Sequence, residues 1–249
     1  MIGRWLLPKG VAPVVQPLLI GKALRAFADG YVAVLLPAYL LALGFGTLDV
    51  GILSTATLLG SALATLAVGA WGHRFHHRRL LLGAALLMLS TGLAFASMSA
   101  FWPLLLVAFI GTLNPSSGDV SVFLPLEHAR LAESSQGATR TALFARYSLL
   151  GALFAALGAL ASGLPQLLVA TLGIEQLTAF RVMFVFYGMV GGAVWFLYLS
   201  LPAPEHEVEV PPALPLGESK GVVVRLALLF SLDSFAGGLA INTLMALWF

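Results

Sequence analysis

The stretch "ALRAFADGYVAVLLPAYLLAL", residues 23–43, is apolar over a length that suits a bilayer, yet it holds a carboxylate, Asp29. A hydrocarbon core about 30 Å thick requires roughly 20 mainly apolar residues in a helix, and this stretch supplies them. Runs of similar length recur along all 249 residues, and the chain is 59% hydrophobic and 10% charged, with a mean hydropathy of +0.97. That usage lies far from soluble domains. The chain therefore reads as an all-α membrane protein, a polytopic helical bundle with the lipid bilayer as its surroundings and no nucleic-acid partner. Zero cysteines exclude disulfides and thiolate metal sites. No cleavable leader is expected, because "MIGRWLLPKGVAPVVQP" is interrupted by three prolines before an apolar region develops.

Working outward from the opening stretch, seven spans are expected at about 18–43, 50–71, 80–99, 102–125, 140–163, 178–201 and 221–246. Turn chemistry separates them: Gly44, Gly46 and Asp49 first, then "GHRFHHRR", "SMSAFWP", "EHARLAESSQGATR" and "LPQLLVATLGIEQ". The sixth break, "LPAPEHEVEVPPALPLGESK", holds five prolines and four glutamates and reads as a flexible linker. The expected organisation is a six-helix bundle over 1–201, a cytoplasmic linker over 202–220 and the first helix of a second bundle over 221–249. A cytoplasmic N-terminus puts twelve of the thirteen Lys and Arg residues at or near the inner face and only Arg181 outside. That bias predicts a multi-pass protein of the cell membrane with its N-terminus inside.

The opening stretch also recurs. Laid over "LALLFSLDSFAGGLAINTLMAL", residues 226–247, it pairs Asp29 with Asp233, Tyr31 with Phe235 and Leu35 with Leu239. Six spans, a charged linker and a seventh span like the first form the layout of a duplicated two-bundle transporter. In span count, orientation and linker position the chain resembles the N-terminal half of a major facilitator superfamily transporter plus the first helix of the second half. Its loop "GAWGHRFHHRRLLLG", residues 69–83, is similar to that family's G-x-L-a-D-r-x-G-r-k motif, with Gly69, Arg74 and Arg78 at matching places. His73 stands where the family has aspartate and His76 where it has glycine. The resemblance implies that this loop, through Gly69, His73, Arg74 and Arg78, takes part in gating by contacting the second bundle. It also implies twelve spans, so a truncated product or fragment is expected.

Charges at membrane depth are expensive, at least about 2.5–3.5 kcal/mol each, so each needs an account. Asp29 either pairs with Arg25 four residues before it or points into a cavity. Span four contains "GTLNPSSGDVSVFLP", where Asn114, Ser116, Ser117 and Asp119 crowd around Pro115. Such a segment must face protein or water, and its helix is expected to bend or unwind. Interhelical hydrogen bonding is the alternative use of these groups. Arg146 is placed to meet Asp119 at similar depth. Gly151, Ala155, Gly158, Ala159 and Ser162, with Gly188, Gly191 and Gly192, have the spacing of close helix packing. His73, His76 and His77 sit among Arg74, Arg78 and Arg79, which argues against a metal site and for a basic loop beside anionic lipid.

The expected function is secondary transport of a small solute by alternating access. The pathway candidates are Asp29, Asn114, Ser117, Asp119, Arg146 and Asp233, with a coupling proton on Asp29 or Asp119. The alternative is a non-transporting half-transporter, or a membrane module that needs a partner bundle. An intramembrane serine hydrolase using Ser116 or Ser117 would need a base nearby, and none of the five histidines falls within an expected span, so no enzyme and no cofactor is expected. The substrate is not encoded in any recognisable signature.

Overall fold

The computed structural model describes residues 11, 13–113, 121–202 and 220–238. Among these the chain is helical, in nine α-helices: α1 Gln16–Ala42, α2 Thr47–Trp71, α3 His77–Ser97, α4 Phe101–Ile110, α5 Phe123–Glu133, α6 Gly137–Ala161, α7 Leu164–Leu172, α8 Gln176–Leu199 and α9 Lys220–Gly238. Five stretches are long and apolar enough to cross a membrane: α1, α2, α3, α6 continued through α7, and α8. These match five of the seven expected spans. The fourth is instead divided into α4 and α5, with Gly111–Leu113 non-helical and residues 114–120 outside the described set. The seventh is described as α9 through Gly238.

Local chemistry explains the ends. Asp49 accepts a hydrogen bond from the Gly46 N–H at 3.0 Å, capping the start of α2, and Gly44 takes a positive φ of 91° that a side chain would strain. Gly173, at φ 65°, ends α7 in the left-handed cap conformation. Two sequence expectations need correction. The charged stretch 127–140 reads as a loop, but α5 runs helical to Glu133 and leaves only Ser134–Gln136 as a connection. The segment after α6 reads as a loop as well, yet Leu164–Leu172 is helical, with Pro165 tolerated in its first turn.

The helices alternate in direction, so the 72–76 and 134–136 connections lie at one end with the close of α8, where Arg78 Nη2 donates to the Leu199 carbonyl at 2.9 Å. The connections around 43–46 and 98–100 lie at the other end, where Arg181 Nη2 donates to Ser99 Oγ at 2.8 Å. Arg74, Arg79, Arg130 and Arg140 also belong to the first end, so it is the basic one.

Helix α1 is the most buried of the long helices and sits between α6 and α8; α3 packs along α8, and α2 along α4. Close approach depends on glycine. A Cβ on Gly30 would collide with the Ala155 carbonyl, and one on Gly158 with that of Phe27, so α1 and α6 meet backbone to backbone. A Cβ on Gly191 would lie 2.6 Å from Leu89 N, which holds α8 equally near α3. The small-residue spacing thus predicted real contacts at Gly151, Ala155, Gly158, Gly188 and Gly191, whereas Ala159 is exposed and Ser162 donates back to the Ala159 carbonyl. Tyr39 donates to the Phe95 carbonyl at 2.5 Å and Tyr31 to that of Met183 at 3.1 Å, so their buried hydroxyls are satisfied. Leu66, Leu160 and Phe196 face outward, as lipid-facing side chains do.

Candidate functional site

Arg25 is buried within α1, about 14 Å along the helix from its start. A guanidinium there requires an acid, and the acid is Glu127 of α5, whose side chain is fully buried. Arg25 Nη2 lies 2.5 Å from each Glu127 carboxylate oxygen. Tyr147 of α6 donates to Oε2 at 2.5 Å, and Tyr198 of α8 donates to Oε1. One carboxylate therefore binds four helices together.

Spacing within each helix makes room for this cluster. Phe123, one turn before Glu127, lies under the guanidinium, 3.9 Å from ring centroid to Cζ. Gly21, one turn before Arg25, leaves space for the Tyr198 ring, whose hydroxyl would be 2.5 Å from a Cβ. Gly151, one turn after Tyr147, leaves space for the stem of Lys22, whose Nζ sits 5.2 Å from the Tyr147 ring centre. His128 stacks edgewise on Phe144 and Tyr147, so this histidine is a packing residue among aromatics.

One turn beyond Arg25 stands Asp29, about 20 Å along the helix and half-buried. The fully buried Tyr187 of α8 places its hydroxyl 3.4 Å from Asp29 Oδ1 and 3.1 Å from the Thr112 carbonyl. Its one proton serves either acceptor, and Thr112 Oγ1 lies 3.4 Å away as a further partner. Asp29 thus adjoins the non-helical end of α4. The two acids differ in kind. Glu127 is sealed from solvent and saturated with donors, which suits a fixed fastening. Asp29 is half-buried, with the Tyr187 hydroxyl within reach of its carboxylate.

The hydrogen bonds of Arg25 run to Glu127, and Asp29 lies one helical turn further along α1. Arg146 is half-buried on α6, beside Tyr147. Asn114, Ser116, Ser117 and Asp119 lie outside the described residues, and with them the expected pairing of Asp119 with Arg146. Asp233 is exposed on α9. Gly69 is on α2, where a Cβ would meet nothing within 4 Å; Arg74 ends a 3₁₀ turn, Gly72–Arg74, that includes His73, whose side chain lies outside the described set. Among the described residues no group of three metal-ligating side chains gathers. Sequence reading missed Glu127, Tyr147, Tyr187 and Tyr198. The usable signal was Arg25 itself, since a buried arginine demands an acid, and the 123–133 stretch offers Glu127 one helical turn after Phe123.

A profile of the Major Facilitator Superfamily matches residues 18–249, and the chain belongs to that family, whose members are membrane transporters. It is also 28% identical over 166 residues to an uncharacterized membrane protein, YJR124C, of Saccharomyces cerevisiae; the match covers 66% of this chain and 37% of that relative's length.

Proposed function

We propose that this chain forms the first bundle of an alternating-access secondary transporter for a small solute, with Asp29 facing the pathway and exchanging the coupling proton. The observation that carries the reading is the division of labour on α1. Arg25 is engaged by Glu127, and Asp29, one turn further into the membrane, is half-buried beside the Tyr187 hydroxyl. A carboxylate at that depth, next to the broken fourth span, fits a group that binds and releases a proton. Asn114, Ser117 and Asp119 would line the same break, Asp233 would face them from the second bundle, and Gly69, His73, Arg74 and Arg78 would lie at the gate. The arginine distribution supports a cell-membrane location with a cytoplasmic N-terminus.

Proton-driven uptake in proteoliposomes tests the proposal, using a full-length relative with aspartate at the place of Asp29. Asn at that place is expected to abolish proton-coupled accumulation while facilitated exchange persists. Unchanged accumulation and unchanged pH dependence would refute it.

A second reading, a module completed by a partner bundle, is favoured by two exposed surfaces. Helix α9 is exposed from Lys220 to Asp233, and an apolar groove of about 820 Å³ runs between α2 and α4, past Leu48, Ile52, Trp102 and Phe109. Native mass measurement in detergent separates a lone chain from an assembled one.

A further inference from the structure

A second concave feature lies nearer the basic end. Helices α2 and α3, with residues 110–112 and 121–122, border a partly open cavity of about 240 Å³. Its described lining is largely apolar, from Ala64, Val68, Leu80 and Leu87, and includes one charged residue, the exposed Arg79. The volume is below the roughly 300–1,000 Å³ of pockets that enclose a drug-sized ligand, so it suits part of a chain better than a whole solute.

What surrounds Arg79 matters. Arg74 is exposed in the adjoining turn, and Trp71 and Phe75 beside it are 55% and 57% exposed. Large aromatics next to arginines at a helix end are the composition of a membrane interface. Arg78 anchors the turn by donating to the Leu199 carbonyl, so the turn is fixed to α8. The buried Arg78 Nε has no hydrogen-bond partner among the described residues. The described ion pairs are Arg25 with Glu127 and Arg130 with Glu133, so neither Arg74 nor Arg79 is neutralised by a described carboxylate.

We propose that this corner binds an anionic phospholipid, with its phosphate held by Arg74 and Arg79 and the start of one acyl chain in the cavity between α2 and α3. An apolar slot with guanidinium groups at its rim matches an amphiphile with a negative head. A zwitterionic lipid fits the slot but carries a cation into a cationic rim, so the site selects by headgroup charge.

The test is native mass spectrometry of the full 249-residue chain in detergent, titrated with phosphatidylglycerol, with phosphatidylcholine of the same chains, and with inorganic phosphate. Phosphatidylglycerol is expected to bind more tightly than phosphatidylcholine, and phosphate to displace neither lipid. The Arg74→Gln/Arg79→Gln variant is expected to lose about 25-fold in phosphatidylglycerol affinity, roughly fivefold per charge, with phosphatidylcholine unchanged. Both residues are exposed, so an unaltered melting temperature is expected to confirm that folding is intact. Gly83 lines the cavity and a Cβ there meets nothing within 4 Å, so Gly83→Leu fills the slot without a backbone clash and is expected to weaken lipid retention with both arginines present. Equal binding of the two lipids, or full phosphatidylglycerol affinity in the arginine variant, would overturn the headgroup assignment. Full affinity in Gly83→Leu, or complete displacement by phosphate, would overturn the acyl slot.

Discussion

Replacing Glu127 by leucine should strand a buried cation. Arg25 is 4% exposed and Glu127 fully buried, so the variant leaves the guanidinium without its carboxylate in a place water does not reach. Removing one partner of a buried pair costs about 3–5 kcal/mol, most of it from the charge left behind. Tyr147 and Tyr198 lose a charged acceptor at the same time, and hydrogen bonds of that kind are worth about 1.5–3 kcal/mol each. These contributions overlap, because all of them meet at one carboxylate, so the expected total is about 4–6 kcal/mol. The Arg25→Leu/Glu127→Leu variant removes both charges and should recover most of the loss, since apolar replacement of a whole buried pair is often close to neutral. Reversible unfolding in mixed micelles, read as a double-mutant cycle, gives the coupling directly. A coupling of at least about 2 kcal/mol is expected. A single-variant cost below about 1 kcal/mol, with the two changes additive, would refute the view that this carboxylate fastens α1, α5, α6 and α8 together.

Three further outcomes follow from the same geometry. Gly21→Ala pushes a methyl against the Tyr198 hydroxyl and should destabilise by about 1–3 kcal/mol, whereas Gly69→Ala, with open space around it, should be neutral or slightly stabilising in the same unfolding assay. Gly158→Leu drives a side chain into the Phe27 carbonyl and should separate α1 from α6, lowering the melting temperature more than Gly83→Leu does. In sealed cells, a membrane-impermeant thiol reagent should modify Glu175→Cys but not Arg74→Cys if the N-terminus is cytoplasmic; the reverse pattern would invert the proposed topology.

The spans were legible because lipid imposes length and apolarity, and both are visible residue by residue. That is why α1, α2, α3, α6 and α8 fall within a few residues of their expected positions. Charge was the misleading signal. Glu127, His128 and Arg130 look like loop residues when read locally, and only the distant Arg25 explains why Glu127 belongs on a buried helix face. Pairing over 102 positions leaves no local pattern. The same reason hid the tyrosines: Tyr147, Tyr187 and Tyr198 are ordinary apolar-span residues until the acids they serve are brought beside them. Asp29 was found because an acid in an apolar run is conspicuous by itself. The hydrogen-bond partner of Arg25 was not, since Glu127 lies 102 positions away and only tertiary packing brings it near.

The proposed pathway requires Asp29 to open onto water at membrane depth while Glu127 stays sealed. The chain has no cysteine, so a single introduced thiol reports on its own position. Asp29→Cys, Leu36→Cys and Leu106→Cys, in permeabilised membrane vesicles, would be treated with a charged methanethiosulfonate reagent; Leu36 is 1% exposed in the core, and Leu106 is 62% exposed on the outer face. Modification of Asp29→Cys alone is expected. An Asp29→Cys thiol as inert as that at position 36 would contradict it.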